Sequence, residues 1–209
     1  MITRIIAIQN LEKYIGQDLA KLAKEFEITT FKNGKQNKGW KGLTLEQLAG
    51  LSNDNKQAPN GLGFELKSTA FYQVKGIWKP KETMAITMIN PVNLIETPFF
   101  QSHCWEKLKS IVFCAVSWNG KHDPKSELLK IQSFDFLEDE EIIKEIEMDY
   151  EFIRNKCTTQ GFRALTGRDG KWIQARTKGS GHGSISRAFY ARKGLIEKII
   201  NLDELDASI

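Results

Sequence analysis

The sequence predicts a mixed α/β fold in which a mixed central β-sheet is flanked by helices. Three observations carry this expectation. Amphipathic helical segments lie near the N-terminus and past the middle of the chain, apolar β-branched runs of strand length fall between them, and a strand hairpin with a final helix closes the order. No internal repeat or long linker interrupts the 209 residues, so a single domain over 1–209 with a sizeable core is expected.

Residues 10–26 place Leu11, Tyr14, Ile15, Leu19, Leu22 and Phe26 at helical spacing behind an Asn10 cap. "KNGKQNKGWKG" reads as a Gly- and Lys-rich loop, and "LTLEQLAGL" as a short helix with Gly50 near its end. Strands are expected over "GFELKSTAFY", "TMAITMI", "SIVFCAVSW" and "LLKIQSFDF", arranged as a meander. The third is continuously apolar, as a central strand buried on both faces must be. Over 138–157 a helix is expected, with Ile142, Ile143, Ile146, Tyr150 and Ile153 as its apolar stripe and the acids opposite. "KWIQART" and "SRAFYARK" then bracket a Gly-rich loop, and "GLIEKIINL" forms the last helix.

The net charge of +4 is modest but unevenly placed. Nine acids and one lysine lie between Asp135 and Glu151, whereas eight Lys or Arg and one acid lie between Gly161 and Lys193. Lys32, Lys35, Lys38 and Lys41 form an early basic group. A single charge run is ordinarily a solvated face, but a Gly-rich basic segment interleaved with Trp172, Phe189 and Tyr190 suits a polyanion. Cys104, Cys114 and Cys157 have no metal-ligand spacing, and their odd number speaks against a disulfide framework. The N-terminus lacks a signal-peptide pattern and no apolar run reaches membrane-spanning length, so a cytoplasmic protein is expected.

The chemistry concentrates in "NKQAPNGLGFELKST". Glu65 and Lys67 lie two apart in an expected strand and so project from one face. A carboxylate is a hard oxygen ligand for Mg²⁺, and a neighbouring ammonium can position a water or stabilise developing phosphoryl charge. Alone, Glu-x-Lys is more often a surface ion pair. What would complete a metal clamp is a second acid from the Pro59-Asn60 turn. There is no phosphate-binding Gly-Lys loop, zinc-protease helix, dinucleotide fingerprint or paired-cysteine zinc site. Of His103, His122 and His182, only His182, within "GSGHGS", has flanking glycines that let a ligand approach.

Several blocks in order then resemble the MutH family and the related type II restriction endonucleases of the PD-(D/E)xK superfamily, from about residue 11 to 200. "NKGWKGLTLEQLAG" is similar to the family's K-G-W-x-G-x-x-L-E segment, which makes Glu46 the helix-borne acid near the metals. "GLGFELKST" resembles L-G-x-E-L-K-T, carrying metal binding to Glu65 and the catalytic lysine to Lys67. "SHCWEKLK" resembles S-H-x-x-x-K-L-K and offers Lys107 as a further active-site lysine. "WIQARTKG" and "RAFYARK" are similar to the base-reading strands, with Arg176, Lys178 and Tyr190 as recognition candidates. His182 in the shorter loop, Arg187 and Arg192 on the hairpin, and Lys38 and Lys41 near the N-terminus join them as DNA-binding candidates.

The resemblance implies a restriction-endonuclease-like core, with a catalytic part over about 40–135 and a DNA-recognition part over about 161–200. It implies Mg²⁺-dependent, site-specific cleavage of double-stranded DNA by a type II restriction enzyme, leaving 5′-phosphate and 3′-hydroxyl. GATC or a related short site is expected, with a homodimer suited to a palindrome and a cognate methyltransferase as a genetic partner. A MutH-type repair nickase and a DNA-binding protein that does not cut are the alternatives. The chain departs from the family at Asn60, where an aspartate would ligate metal. Loss of that charge should spare DNA binding and depress cleavage. Either Asn60 was introduced to trap uncleaved DNA, or it is natural and Glu46 or Asp54 compensates. Asn60-Gly61 is also a deamidation-prone pair, which would return some aspartate to this position.

Overall fold

The computed structural model describes residues 2–32, 35–51, 59–120, 125–179 and 185–201. In chain order the elements are helices α1 (Arg4–Glu12) and α2 (Leu19–Glu25), strands β1 (Phe31–Lys32) and β2 (Lys35–Gln36), and helix α3 (Trp40–Ala49). Strands β3 (Glu65–Val74), β4 (Ile77–Pro80) and β5 (Met84–Ile89) come next, then helices α4 (Pro91–Glu96) and α5 (His103–Leu108). Strands β6 (Ser110–Ser117) and β7 (Leu128–Asp135), helix α6 (Glu140–Gln160), strands β8 (Ile173–Thr177) and β9 (Arg187–Ala191), and helix α7 (Lys193–Ile199) complete the order. The chain divides into two compact units. The first comprises 1–82, 111–134 and 199–209, the second 83–110 and 135–198.

The first unit contains a mixed four-stranded sheet in the order β4-β3-β6-β7. Strand β6 lies in its interior and pairs in parallel with β3, Glu65 opposite Ile111 through Phe71 opposite Ser117. Its residues from Ile111 to Ser117 are all buried, as a continuously apolar strand requires. A two-residue loop at Lys75 and Gly76, both with positive φ, joins β3 to the antiparallel β4. Leu66, Ala70, Val112, Cys114 and Val116 pack with Leu11, Leu19, Leu22, Trp40, Leu45 and Leu48 into one core.

The N-terminal helix expected over 10–26 is two helices instead. Thr3 caps the first through the Ile6 N–H, and Asp18 caps the second through the Ala20 N–H. Gly16, at φ +79°, donates its N–H to the Leu128 carbonyl, and Ile15 and Asp18 form bridges with Leu128 and Glu127. Backbone pairing with β7 and its approach therefore overrides a helical side-chain pattern. Helix α3 begins at Trp40, three residues ahead of the expected Leu43, and ends as expected at Gly50, which is in the left-handed conformation.

The second unit holds an antiparallel sheet in the order β5-β9-β8. "TMAITMI" is thus a strand, but it pairs with the C-terminal hairpin and not with its sequence neighbours, and β4 takes the expected meander place beside β3. Asp139 caps α6, and Ile142, Ile143, Ile146, Tyr150 and Ile153 are buried as the stripe predicts. Tyr150 stacks on Phe189 with ring centroids 5.3 Å apart. Asp149, also buried, accepts hydrogen bonds from the N–H groups of Lys171, Trp172 and Ile173 and so fixes the entry to β8.

The three cysteines are free and buried. Burial pushes the Cys104 and Cys114 thiols far above their ordinary range, so neither is a ready nucleophile. Among the described residues no helix is long and apolar enough to cross a membrane.

Candidate active site

Glu65 and Lys67 begin β3 and share one face of it. Leu66, between them, faces the core. Glu65 is only 2% exposed, and a charge so placed must be paired. Lys67 Nζ supplies one partner, 2.7 Å from Glu65 Oε1. The backbone N–H of Asn60 donates to Oε2 at 3.0 Å.

Asn60 reaches Glu65 because the chain doubles back over 60–65. Gly61 donates its N–H to the Phe64 carbonyl, and a Cβ at Gly61 would fall 2.0 Å from the Phe64 ring. Only glycine fits that approach. Strand β4 pairs with Phe71–Val74 alone, which leaves the same edge of β3 open near Glu65. There the Leu66 N–H donates to Asn60 Oδ1 at 3.3 Å.

Helix α3 delivers the other acid. Asn60 Nδ2 donates to Glu46 Oε1 at 3.3 Å. The orientation of the Asn60 amide follows from its neighbours: a backbone N–H can only donate and a carboxylate can only accept, so oxygen faces Leu66 and nitrogen faces Glu46. Asn60 thereby joins both acids with hydrogen-bond donors. Glu46, Asn60, Glu65 and Lys67, drawn from a helix, a turn and a strand, form one connected group.

Two carboxylates and an amide oxygen are the hard donors that a cation such as Mg²⁺ takes. As arranged, however, Asn60 spends its oxygen on Leu66 and presents nitrogen to Glu46. Among the described residues no group of three His, Cys, Asp or Glu is assembled for a metal. The oxygen chemistry fits a divalent cation at Glu46 and Glu65, while the position between them is satisfied by an amide.

The remaining candidates scatter. Lys107 is half-buried on α5, in the second unit. His103 is exposed at the start of α5, while His122, His182 and Asp54 lie outside the described residues. Arg176, exposed near the end of β8, lies over the Tyr190 ring at 5.2 Å and donates to Thr83 Oγ1 at 3.3 Å. Lys178 follows it, exposed, with its backbone N–H on the Ser186 carbonyl at 3.0 Å.

Arg187 and Arg192 turn inward. Arg187 is 7% exposed and donates to the carbonyls of Arg163, Leu165 and Ile185. Arg192 donates to the carbonyls of Gly167 and Asp169. Both brace the 163–169 turn. Strand alternation could have indicated this for Arg187, since Phe189 and Ala191 on its face are buried. In the first unit, Lys38 is exposed and Lys41 half-buried at the start of α3, away from Glu46. Burial lowers the Lys41 pKa to about 8, helped by Lys81 and opposed by Glu82.

A family model described as DNA mismatch repair enzyme MutH matches residues 48–145. DNA mismatch repair protein MutH from Salmonella paratyphi A, Salmonella choleraesuis and Salmonella newport is in each case 27% identical over 179 residues, covering 85% of this chain and 76% of the relative. The chain is MutH-like. The MutH match takes in Asn60, Glu65, Lys67 and Lys107, and its strands and helices form the mixed α/β arrangement expected of a PD-(D/E)xK nuclease. Glu46 precedes the matched MutH segment by two residues, and its hydrogen bond to Asn60 joins it to the group.

Proposed function

We propose that this chain is a site-specific endonuclease of double-stranded DNA that depends on a divalent metal, Mg²⁺ by preference, and that Asn60 suppresses its cleavage step. The observation that supports this best is the connected group of Glu46, Asn60, Glu65 and Lys67. Glu46 and Glu65 would hold the cation, which when bound supplies positive charge to a phosphoryl oxygen and acidity to a water. Lys67, fixed by Glu65, places an ammonium where it can orient that water or stabilise phosphoryl charge. Lys107 is an assisting lysine in this reading. Asn60 keeps the shape of an aspartate but subtracts one negative charge.

Recognition belongs to the exposed C-terminal groups Arg176, Lys178 and Tyr190, together with His182 of the loop. Arg187 and Arg192 support their strand. A short palindrome such as GATC, met by two copies of the chain, and a methyltransferase that protects host DNA complete the restriction-enzyme reading. The catalytic part at about 40–135 and the recognition part at about 161–200 are functional divisions within it. A second reading, a repair nickase, is favoured by the relatives' description as mismatch repair proteins.

The test is digestion of a long DNA of known sequence with Mg²⁺, comparing the chain as it stands with Asn60→Asp. Discrete fragments from the substituted form alone are the expected result. Inert proteins in both cases would refute the catalytic assignment. Nicks confined to one strand would favour the repair reading.

A further inference from the structure

The first unit has a cleft of about 340 Å³. Its walls include Lys38 and Lys41 at the start of α3, Ser68 on β3, Lys81 and Glu82 after β4, and Trp118 after β6. Three ammonium groups thus border one concavity, with a single carboxylate among them. Lys81 Nζ lies 4.7 Å from the centre of the Trp118 ring, which holds the lysine at the rim. Lys41 Nζ donates to the Ser117 carbonyl at 3.4 Å. A neutral carbonyl is a poor counterpart for a half-buried ammonium. Gly39, which caps α3, offers no side-chain acceptor to the first N–H groups of that helix.

We infer that this cleft binds a phosphodiester group of the DNA strand, with Lys41 and Lys81 as its principal ligands and Lys38 at its mouth. Thr69, which also lines the cleft, lies four residues beyond Glu65 on the same face of β3, a rise of about 13 Å along the strand. That is a span of a few nucleotides, at about 3.4 Å of rise per nucleotide in a duplex. The role is positioning: a backbone phosphate clamped here sets how far the strand advances over Glu65 and Lys67. Glu82, facing Lys41, opposes the anion and limits its affinity. The groups that face Lys41 are uncharged on β3 and β6, and Lys38, Lys81 and Glu82 are the charged ones. An arriving phosphate would return Lys41 to its protonated form, so binding near pH 8 should take up a proton.

This inference rests on the DNA-cleavage reading, and the two can fail separately. The experiment measures affinity of the full chain for a short duplex, without metal, over a range of salt concentrations. The parent is compared with Lys41→Met, Lys81→Met, Glu82→Gln and, as an exposed control outside the cleft, Lys79→Met. Losing a phosphate contact should reduce the slope of log affinity against log salt by about 1. The expected result is such a loss for Lys41→Met and Lys81→Met, none for Lys79→Met, and tighter binding for Glu82→Gln. If Lys41→Met fails to fold, Lys81→Met and Glu82→Gln carry the test. Unchanged slopes, or an equal loss in Lys79→Met, would overturn the inference while leaving the nuclease reading in place. Absence of salt-dependent binding by the parent would overturn both. Inorganic phosphate, followed by Trp118 fluorescence, separates the sources. Quenching abolished by the lysine variants, with DNA slopes unchanged, would make this a free-phosphate site.

Discussion

Replacing Asn60 with aspartate should make the metal-free protein less stable and should increase the stabilisation that metal gives. Asn60 Nδ2 now donates to Glu46 Oε1 at 3.3 Å. In Asn60→Asp the donor becomes an anionic acceptor at the same place. Two unit charges at that distance repel by about 5 kcal/mol at an effective dielectric of 20. Protonation of one carboxyl relieves part of this repulsion. Removal of the hydrogen bond adds about 1 kcal/mol, while the Leu66 N–H retains an acceptor. A penalty of at most about 6 kcal/mol follows, with a ceiling of roughly 12–24 °C in Tm for a chain of this size. Saturating metal at a hundred times its Kd should restore about 2.7 kcal/mol. The assay is thermal melting of both forms in chelator and over a series of Mg²⁺ or Ca²⁺ concentrations. Equal melting in chelator would refute the argument that Asn60 bridges the two acids. Equal metal stabilisation of both forms would refute the claim that the missing charge limits metal binding.

Arg176→Ala should cost about 1–3 kcal/mol of discrimination at one base pair if the guanidinium reads a base edge, measured as cleavage or binding across single-substituted sites. An equal loss on every sequence would assign it to a phosphate. Arg187→Met should destabilise the fold by about 3 kcal/mol, since three backbone carbonyls lose a charged donor, without changing the DNA salt slope. A melt within about 0.5 kcal/mol of the parent would show those contacts to be idle. Lys41 has a folded pKa near 8, below its unfolded 10.5, so the unfolded chain binds more protons between them and stability should rise with pH across that window. The rise has a ceiling of about 3 kcal/mol, is lowered by solvent screening, and should be missing in Lys41→Met chemical denaturation curves.

Periodicity revealed the elements whose neighbours do not compete with them. The stripe on α6 and the apolar run of β6 read correctly because each has one apolar surface or none but apolar ones. Residues 13–18 misled because their side-chain spacing is helical while their backbone is engaged with Leu128 and Glu127. "TMAITMI" has a strand's composition, but composition does not name a partner, and β9 is almost a hundred residues further on. Within the candidate site, alternation alone placed Glu65 and Lys67 on one face of a strand, but it did not foretell that Glu65 is buried. The bond from Asn60 to Glu46 was not legible, because it spans fourteen residues and depends on how tightly the chain folds over Gly61. The Lys41 and Lys81 cleft was equally hidden, since its walls come from segments brought together only by the sheet.

Strand β3 has a consequence for quality control. The same residues seal the core with Leu66 and Ala70 and present Glu65 and Lys67, and the seven-residue parallel match to β6 fixes both at once. A slip of one position would turn the acid and the lysine into the apolar core and leave leucine at the candidate site. Misfolded or truncated copies therefore forfeit the chemical group along with the fold. In the proposed nuclease reading, this is a safeguard against damage by nascent or decaying molecules, and it requires no inhibitor.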